Sequence, residues 1–194
     1  MSDRFSRAFA LVLGHEGGWV DNPADRGGET YKGIARTFWP QWEGWALVDM
    51  IKAGIGPVPR YGTSDYWAYV KRLNPRLAAN PGLQSLVEMF YRKNFWLPAY
   101  EALASEPLAV WLFDKAVNLG LVAGKCRAHR WLQQALDLPD DGIIGPQTLK
   151  AANGYPDQTA LLEAAREKAR AFYRDKARKD PSQAQFLNGW LARV

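Results

Sequence analysis

LGHEGGWVDNPADRGGETYKGI, residues 13–34, puts an acidic residue at the end of an apolar run and follows it with glycines, a proline and two aspartates. Upstream, Phe5, Phe9, Val12 and Leu13 recur at i, i+4, i+7 and i+8, which predicts an amphipathic helix over about 3–16. Gly17 and Gly18 stop it. Downstream, WVDN reads as one arm of a small β-hairpin, PADRGG as its turn and TYKGI as the other arm. Glu16 falls four, seven and eleven residues after Val12, Phe9 and Phe5, on the apolar face of the helix. Desolvation and the negative end of the helix dipole both disfavour its charge there. A carboxyl kept protonated in this way is what a general acid needs near neutral pH.

Working outward, residues 35–82 mix short helical pieces with Pro/Gly punctuation and read as an excursion of short helices and loops. A helix resumes around Leu83, Leu86, Val87, Phe90 and Tyr91. Further helices are expected at about 106–120, 124–137, 146–153 and 157–179, with SQAQFLNGWLARV closing the chain. In the long helix, Glu163/Arg166, Glu167/Arg170 and Asp175/Lys179 pair opposite charges along the exposed side. With no repeat, low-complexity tract or linker, the expectation is one domain over 1–194. Its fold class is α+β, predominantly α-helical, with a small hairpin region after the first helix.

The 194 residues are 47% hydrophobic and 23% charged, ordinary for a globular protein. Nine tryptophans and eight tyrosines are more than usual and fit either a large aromatic core or a cleft that stacks on flat rings, including sugars. A formal charge of +5 favours polyanionic surfaces without choosing among them. The single cysteine, Cys126, excludes an internal disulfide. The first residues lack a convincing signal peptide and no stretch is of transmembrane length, so synthesis in the cytoplasm is expected, with another export route for any work outside it.

Two isolated histidines and one cysteine cannot supply the usual His/Cys zinc set, so no metal is expected. No G-x-S-x-G occurs, and GLVAGKC falls one residue short of a phosphate loop. Cys126 and His129, at i and i+3, read as a half-buried thiol beside a surface imidazole rather than a nucleophile pair. Asp25 lies nine residues after Glu16, and Thr30 five beyond that. The hairpin can fold both back toward the helix end, opposing a protonated acid to a carboxylate and a hydroxyl able to position water. Hydrolysis of a glycosidic bond needs that division of labour. The plainer reading of Asp25 is a turn cap. Trp19 is the best stacking candidate. Tyr91 reads as core and also as a possible subsite residue. Asn118 either pairs with Asp114 beneath a cleft or touches an N-acetyl group.

The order of Glu, Asp and Thr resembles the catalytic triad of phage-type lysozymes. HEGGWVDNPADRGGETYKGI is closer still to glycoside hydrolase family 108, the N-acetylmuramidases of phage endolysins and secretion-associated muramidases. The matching positions are Glu16, Gly17, Gly18, Trp19, Pro23, Asp25, Gly27, Gly28, Thr30, Gly33 and Ile34, with Trp19 where tyrosine is commoner. FYRKNFW, FDKAVNLG and FLNGWLARV also resemble family segments, and LQQALDLPDDGIIGPQTLKA resembles the family's predicted peptidoglycan-binding segment. The resemblance spans nearly the whole chain.

It implies a lysozyme-like fold, with 1–105 as the catalytic part and 106–194 as a helical lobe. It also implies peptidoglycan as substrate, no cofactor, Glu16 as the acid and Asp25 with Thr30 in support. Trp19, Tyr91 and Asn118 are the substrate-binding candidates. Cleavage would fall between N-acetylmuramic acid and N-acetylglucosamine, in a phage endolysin that reaches the wall through a holin or another export route. A lytic transglycosylase and a non-catalytic wall-binding protein remain alternatives. The protein is expected to be a monomer without a nucleic-acid partner, and its basic C-terminal helix could dock on an anionic wall or membrane surface.

Overall fold

The computed structural model describes residues 3–13 and 17–194. The first helix, α1 (Arg4–Leu13), carries the expected apolar stripe, with Phe5, Ala8, Val12 and Leu13 buried. The chain then divides into two compact units, one of Phe9–Asn94 and one of Phe95–Val194 together with the chain start up to Ala8.

The first unit is built on a three-stranded antiparallel sheet: β1 (Trp19–Asp21), β2 (Glu29–Tyr31) and β3 (Ile34–Ala35) in that order. The expected second arm is thus two strands, because Lys32 (φ 44°) and Gly33 (φ 77°) break it into a tight hairpin turn. Tyr91 Oη donates to the Lys32 carbonyl at 2.6 Å and holds that turn in place. Trp19 pairs with Tyr31, Val20 with Thr30 and Asp21 with Glu29, while Thr30 also pairs with Ala35. Paired residues share a face. Trp19, Asp21, Glu29 and Tyr31 therefore lie on one side, and Val20, Thr30 and Ala35 on the other.

Residues 35–82 are more regular than expected. They form α2 (Gly44–Ala53) and the fifteen-residue α3 (Ser64–Ala78), followed directly by α4 (Pro81–Phe95). Thr63 caps α3 by accepting the Tyr66 N–H, and Pro75 sits inside the helix rather than ending it. Proline there removes one backbone bond. Burial of Tyr66, Tyr69, Leu73 and Leu77 on one stripe offsets that loss. The sheet leans on α3: the Trp19 ring meets Tyr66 and Tyr69, each at 6.0 Å, and Asp21 N–H donates to Tyr66 Oη at 2.8 Å.

The second unit is helical throughout: α5 (Pro98–Ala102), α6 (Glu106–Leu119), α7 (Arg127–Ala135), α8 (Pro146–Asn153) and α9 (Gln158–Lys179). A 3₁₀ segment (Pro181–Phe186) and α10 (Leu187–Ala192) complete it. Ser105 caps α6 and Asp157 caps α9 with their side chains. Helix α7 starts later than expected, because Val122 and Lys125 bridge across a left-handed Ala123–Gly124 turn. Ala128, Ala165 and Ala169 are fully buried, and such small residues let helices approach closely. The paired charges of α9 are present, with Glu167–Arg170 at 2.5 Å, Asp175–Lys179 at 2.8 Å and Glu163–Arg166 at 3.7 Å.

His129 is not the surface residue expected. It is fully buried, its Nε2 2.7 Å from Tyr100 Oη and its Nδ1 2.8 Å from the Gly142 carbonyl. Both ring nitrogens are engaged, and burial pushes the Cys126 thiol up, away from the thiolate a nucleophile needs. Gln133, 2% exposed, locks DDGIIGPQT onto α7: it donates to Asp141 Oδ1 (2.7 Å) and the Ile143 carbonyl (2.9 Å) and accepts the Gly142 N–H (2.9 Å). Pro146 opens α8 at its first turn, as the sequence suggests.

Candidate active site

The turn joining β1 to β2 is closed by its own short bonds. The Asn22 carbonyl accepts the Asp25 N–H at 2.9 Å, and the Asp25 carbonyl accepts the Gly28 N–H at 3.0 Å. Asp25 Oδ1 accepts the Gly27 N–H at 2.8 Å, an Asx turn. Asp25 Oδ2 has no hydrogen bond among the described residues, and the side chain is exposed. On β2, the Thr30 hydroxyl donates to the Gly28 carbonyl at 3.1 Å and keeps its lone pairs to accept.

Both groups border Gly27. A Cβ built there would stand 3.3 Å from Asp25 Oδ1, 3.7 Å from Thr30 Oγ1 and 2.9 Å from the Ala35 methyl. A carboxylate and a hydroxyl thus flank one glycine. Glu16 lies outside the described residues, as do Gly14 and His15. Description resumes at Gly17, and the path from there is firmly held: the Trp19 N–H donates to Asn74 Oδ1 of α3 at 2.7 Å.

The other sheet face carries a group that the sequence reading did not single out. Glu29, whose side chain is 10% exposed, accepts Trp19 Nε1–H at 2.6 Å and pairs with Lys52 Nζ at 2.5 Å and Arg36 Nε at 3.1 Å. Arg36 and Lys52 also lie over the rings of Trp45 and Trp19, at 4.3 and 5.2 Å. This cluster ties β2 to α2. Strand alternation carries the only signal for it: if Thr30 faces outward, Glu29 faces the core. Its two cations are not neighbours in sequence, so that signal was incomplete.

Trp19 and Tyr91 need correction as substrate-binding residues. Trp19 is 1% exposed, with Tyr66, Tyr69 and Lys52 against its ring and its N–H committed to Glu29, so no face is left for a sugar. Tyr91 is 2% exposed, its hydroxyl on the Lys32 carbonyl and its ring against Phe9 and Phe90. Both are core. Asn118 is exposed in the other unit, with its amide nitrogen donating to the Asp114 carbonyl (2.7 Å) and carboxylate (2.8 Å), the pairing that its i, i+4 spacing allows.

The sequence pattern of the family Glycosyl hydrolase 108 matches residues 9–120, a span that includes the whole of 13–34 and more than half of the chain. The chain belongs to Glycosyl hydrolase 108. Residues 127–194 match a second family, described as Predicted Peptidoglycan domain. Among solved structures, the chain is similar to that of SagA from Brucella abortus, with 25% identity and a TM-score of 0.59 over 97% of this chain and 88% of that one. No curated protein matches. This Glycosyl hydrolase 108 member is therefore a glycoside hydrolase of the cell wall, with a small antiparallel sheet in a predominantly helical, lysozyme-like fold.

Proposed function

We propose that the protein is an N-acetylmuramidase that hydrolyses the β-1,4 bond between N-acetylmuramic acid and N-acetylglucosamine. Glu16 is the general acid. It donates its proton to the glycosidic oxygen as the bond to C1 breaks, so the leaving sugar departs as an alcohol and the ring becomes oxocarbenium-like. Asp25, with one oxygen anchored in its turn and the other uncommitted, and Thr30, with its hydroxyl beside the same glycine, hold the water that adds to C1. A carboxylate takes the proton which that water releases. The observation that carries this reading is the placing of Asp25 and Thr30 around Gly27, inside the segment matched to Glycosyl hydrolase 108.

Mass spectrometry of the muropeptides released from purified sacculi tests it. Hydrolysis leaves a reducing N-acetylmuramic acid end. A 1,6-anhydro end instead identifies a lytic transglycosylase, and sedimentation with sacculi without product identifies a binding protein. We further propose an endolysin's role in the lysis of a phage host, with delivery to the wall through a holin or another export route. Lysis of expressing cells only after the inner membrane is permeabilised supports that role.

A further inference from the structure

The first unit carries a cleft of about 470 Å³, and none of the residues assigned to the reaction above is among those that line it. One wall is the turn after β3, residues 38–43, and the other is a face of α4. That face is the stripe Leu86, Met89, Phe90, Lys93 and Asn94. The volume is in the range of small-ligand sites, about 300–1,000 Å³.

Its aromatic wall is exposed and rigid. Phe38 is 66% exposed and Trp39 39%, unlike Trp19, Trp45, Trp96, Trp111 and Trp131, which are all buried. Trp39 stands perpendicular to Phe90 at 4.9 Å, and Trp42 perpendicular to Trp45 at 5.1 Å. The Trp39 carbonyl accepts Trp45 Nε1–H at 2.9 Å. Edge-on contacts of this kind fix ring orientation at little entropic cost on binding.

Around the rings stand short-range polar groups. The side chains of Gln41, Glu43 and Lys93 make no hydrogen bond or ion pair among the described residues, and Asn94 uses only its amide nitrogen, on the Phe90 carbonyl at 2.8 Å. One cation and one anion balance in a protein of net charge +5. That neutrality does not suit a polyanion such as teichoic acid or an anionic lipid surface. Apolar ring faces beside amide and charged hydrogen-bonding groups suit a neutral pyranose, whose C–H face lies on an indole while its hydroxyl and acetamido groups reach the rim.

We propose that this cleft is a glycan-binding site, holding a pyranose of a β-1,4-linked N-acetylhexosamine chain with its face on Trp39 and its acetamido group at Asn94. The choice of sugar rests on the reading of the enzyme as a wall-glycan hydrolase; the existence of the site does not. The test is titration of the Glu16→Gln protein with the β-1,4-linked N-acetylglucosamine tetramer, followed by indole N–H resonances in NMR. Resonances of Trp39 and Trp42 should move, and Trp39→Ala should weaken binding about tenfold. Trp39→Phe, which keeps a ring and guards against misfolding, should retain part of the affinity. The proposal is overturned if the tetramer binds without moving those resonances, if it does not bind, or if vesicles of anionic lipid move them and the tetramer does not. Because no cleavage is needed, tetramer binding at Trp39 with no muropeptide release would refute the hydrolase reading alone. Release without that binding would refute this proposal alone.

Discussion

Asn74 Oδ1 lies 2.7 Å from the Trp19 amide nitrogen and accepts its hydrogen, which pins the start of β1 to the last third of α3. The same side chain crowds Gly18, where a Cβ would fall 2.4 Å from the Asn74 carboxamide. Gly18→Ala must therefore displace Asn74 and break the bond. A loss of about 1–3 kcal/mol is expected, as for overpacking. Asn74→Ala should lose less, about 1 kcal/mol, the usual contribution of one hydrogen bond. Urea unfolding of the two variants checks both the size and the order.

Gly27→Ala addresses the site more directly. The new methyl would stand 2.9 Å from the Ala35 side chain and 3.3 Å from Asp25 Oδ1, both too close, with Thr30 Oγ1 in ordinary contact at 3.7 Å. The turn must shift, so release of reducing ends from peptidoglycan should fall by about tenfold or more, the sensitivity expected of positioning groups. Turbidity loss of sacculi suspensions reads this. A Gly27→Ala enzyme as fast as wild type would remove Asp25 and Thr30 from the reaction.

Glu29→Gln keeps the shape of the side chain and removes its charge, leaving Lys52 and Arg36 with only the half-exposed Asp49, at 3.8 and 2.8 Å, as counterion. Uncoupling a buried pair costs on the order of 3 kcal/mol. Thermal unfolding should show a fall of several degrees, smaller in the double variant Glu29→Gln/Lys52→Met.

Gln133→Ala tests the turn of DDGIIGPQT as a structural part of the helical unit. It strips partners from Asp141, Ile143 and Gly142 together. A loss of about 1–3 kcal/mol is expected, from the buried Gly142 N–H left unsatisfied. Hydrogen exchange should rise first at 141–145.

Stability should also decline at both ends of the pH scale. Burial lowers the His129 pKa from its ordinary 6.5, so as pH falls through that value the unfolded chain takes up a proton that the folded one refuses. Burial raises the Tyr100 pKa well above 10.0, so as pH climbs past 10 the unfolded chain sheds a proton that the folded one keeps. His129→Gln should flatten the acid side of a melting-temperature profile and leave the alkaline side in place.

The sequence reading located α1, the hairpin region, α6, α8 and α9 because each has a local signature: a periodic apolar stripe, glycine stops, or a capping residue before a proline. Residues 35–82 were harder. Pro75 reads as a break, and only the packing of Tyr66, Tyr69, Leu73 and Leu77 shows that α3 runs through it. Spacing within one motif was enough to propose Asp25 and Thr30, and the structure puts both beside Gly27. Trp19 was misread because its burial depends on α3, more than forty residues away, and Glu29 was missed because its partners lie in α2 and after β3. His129 failed for the same reason, since Tyr100 and Gly142 reach it from other elements.

In the proposed mechanism a carboxyl at position 16 supplies the proton that lets the glycosidic bond break. Its most direct test is the rate of reducing-end release from purified peptidoglycan by Glu16→Gln, beside a circular dichroism melt. A fall on the order of 10²-fold or more with an unchanged melt is expected. A folded Glu16→Gln protein releasing reducing ends at close to the wild-type rate would contradict it.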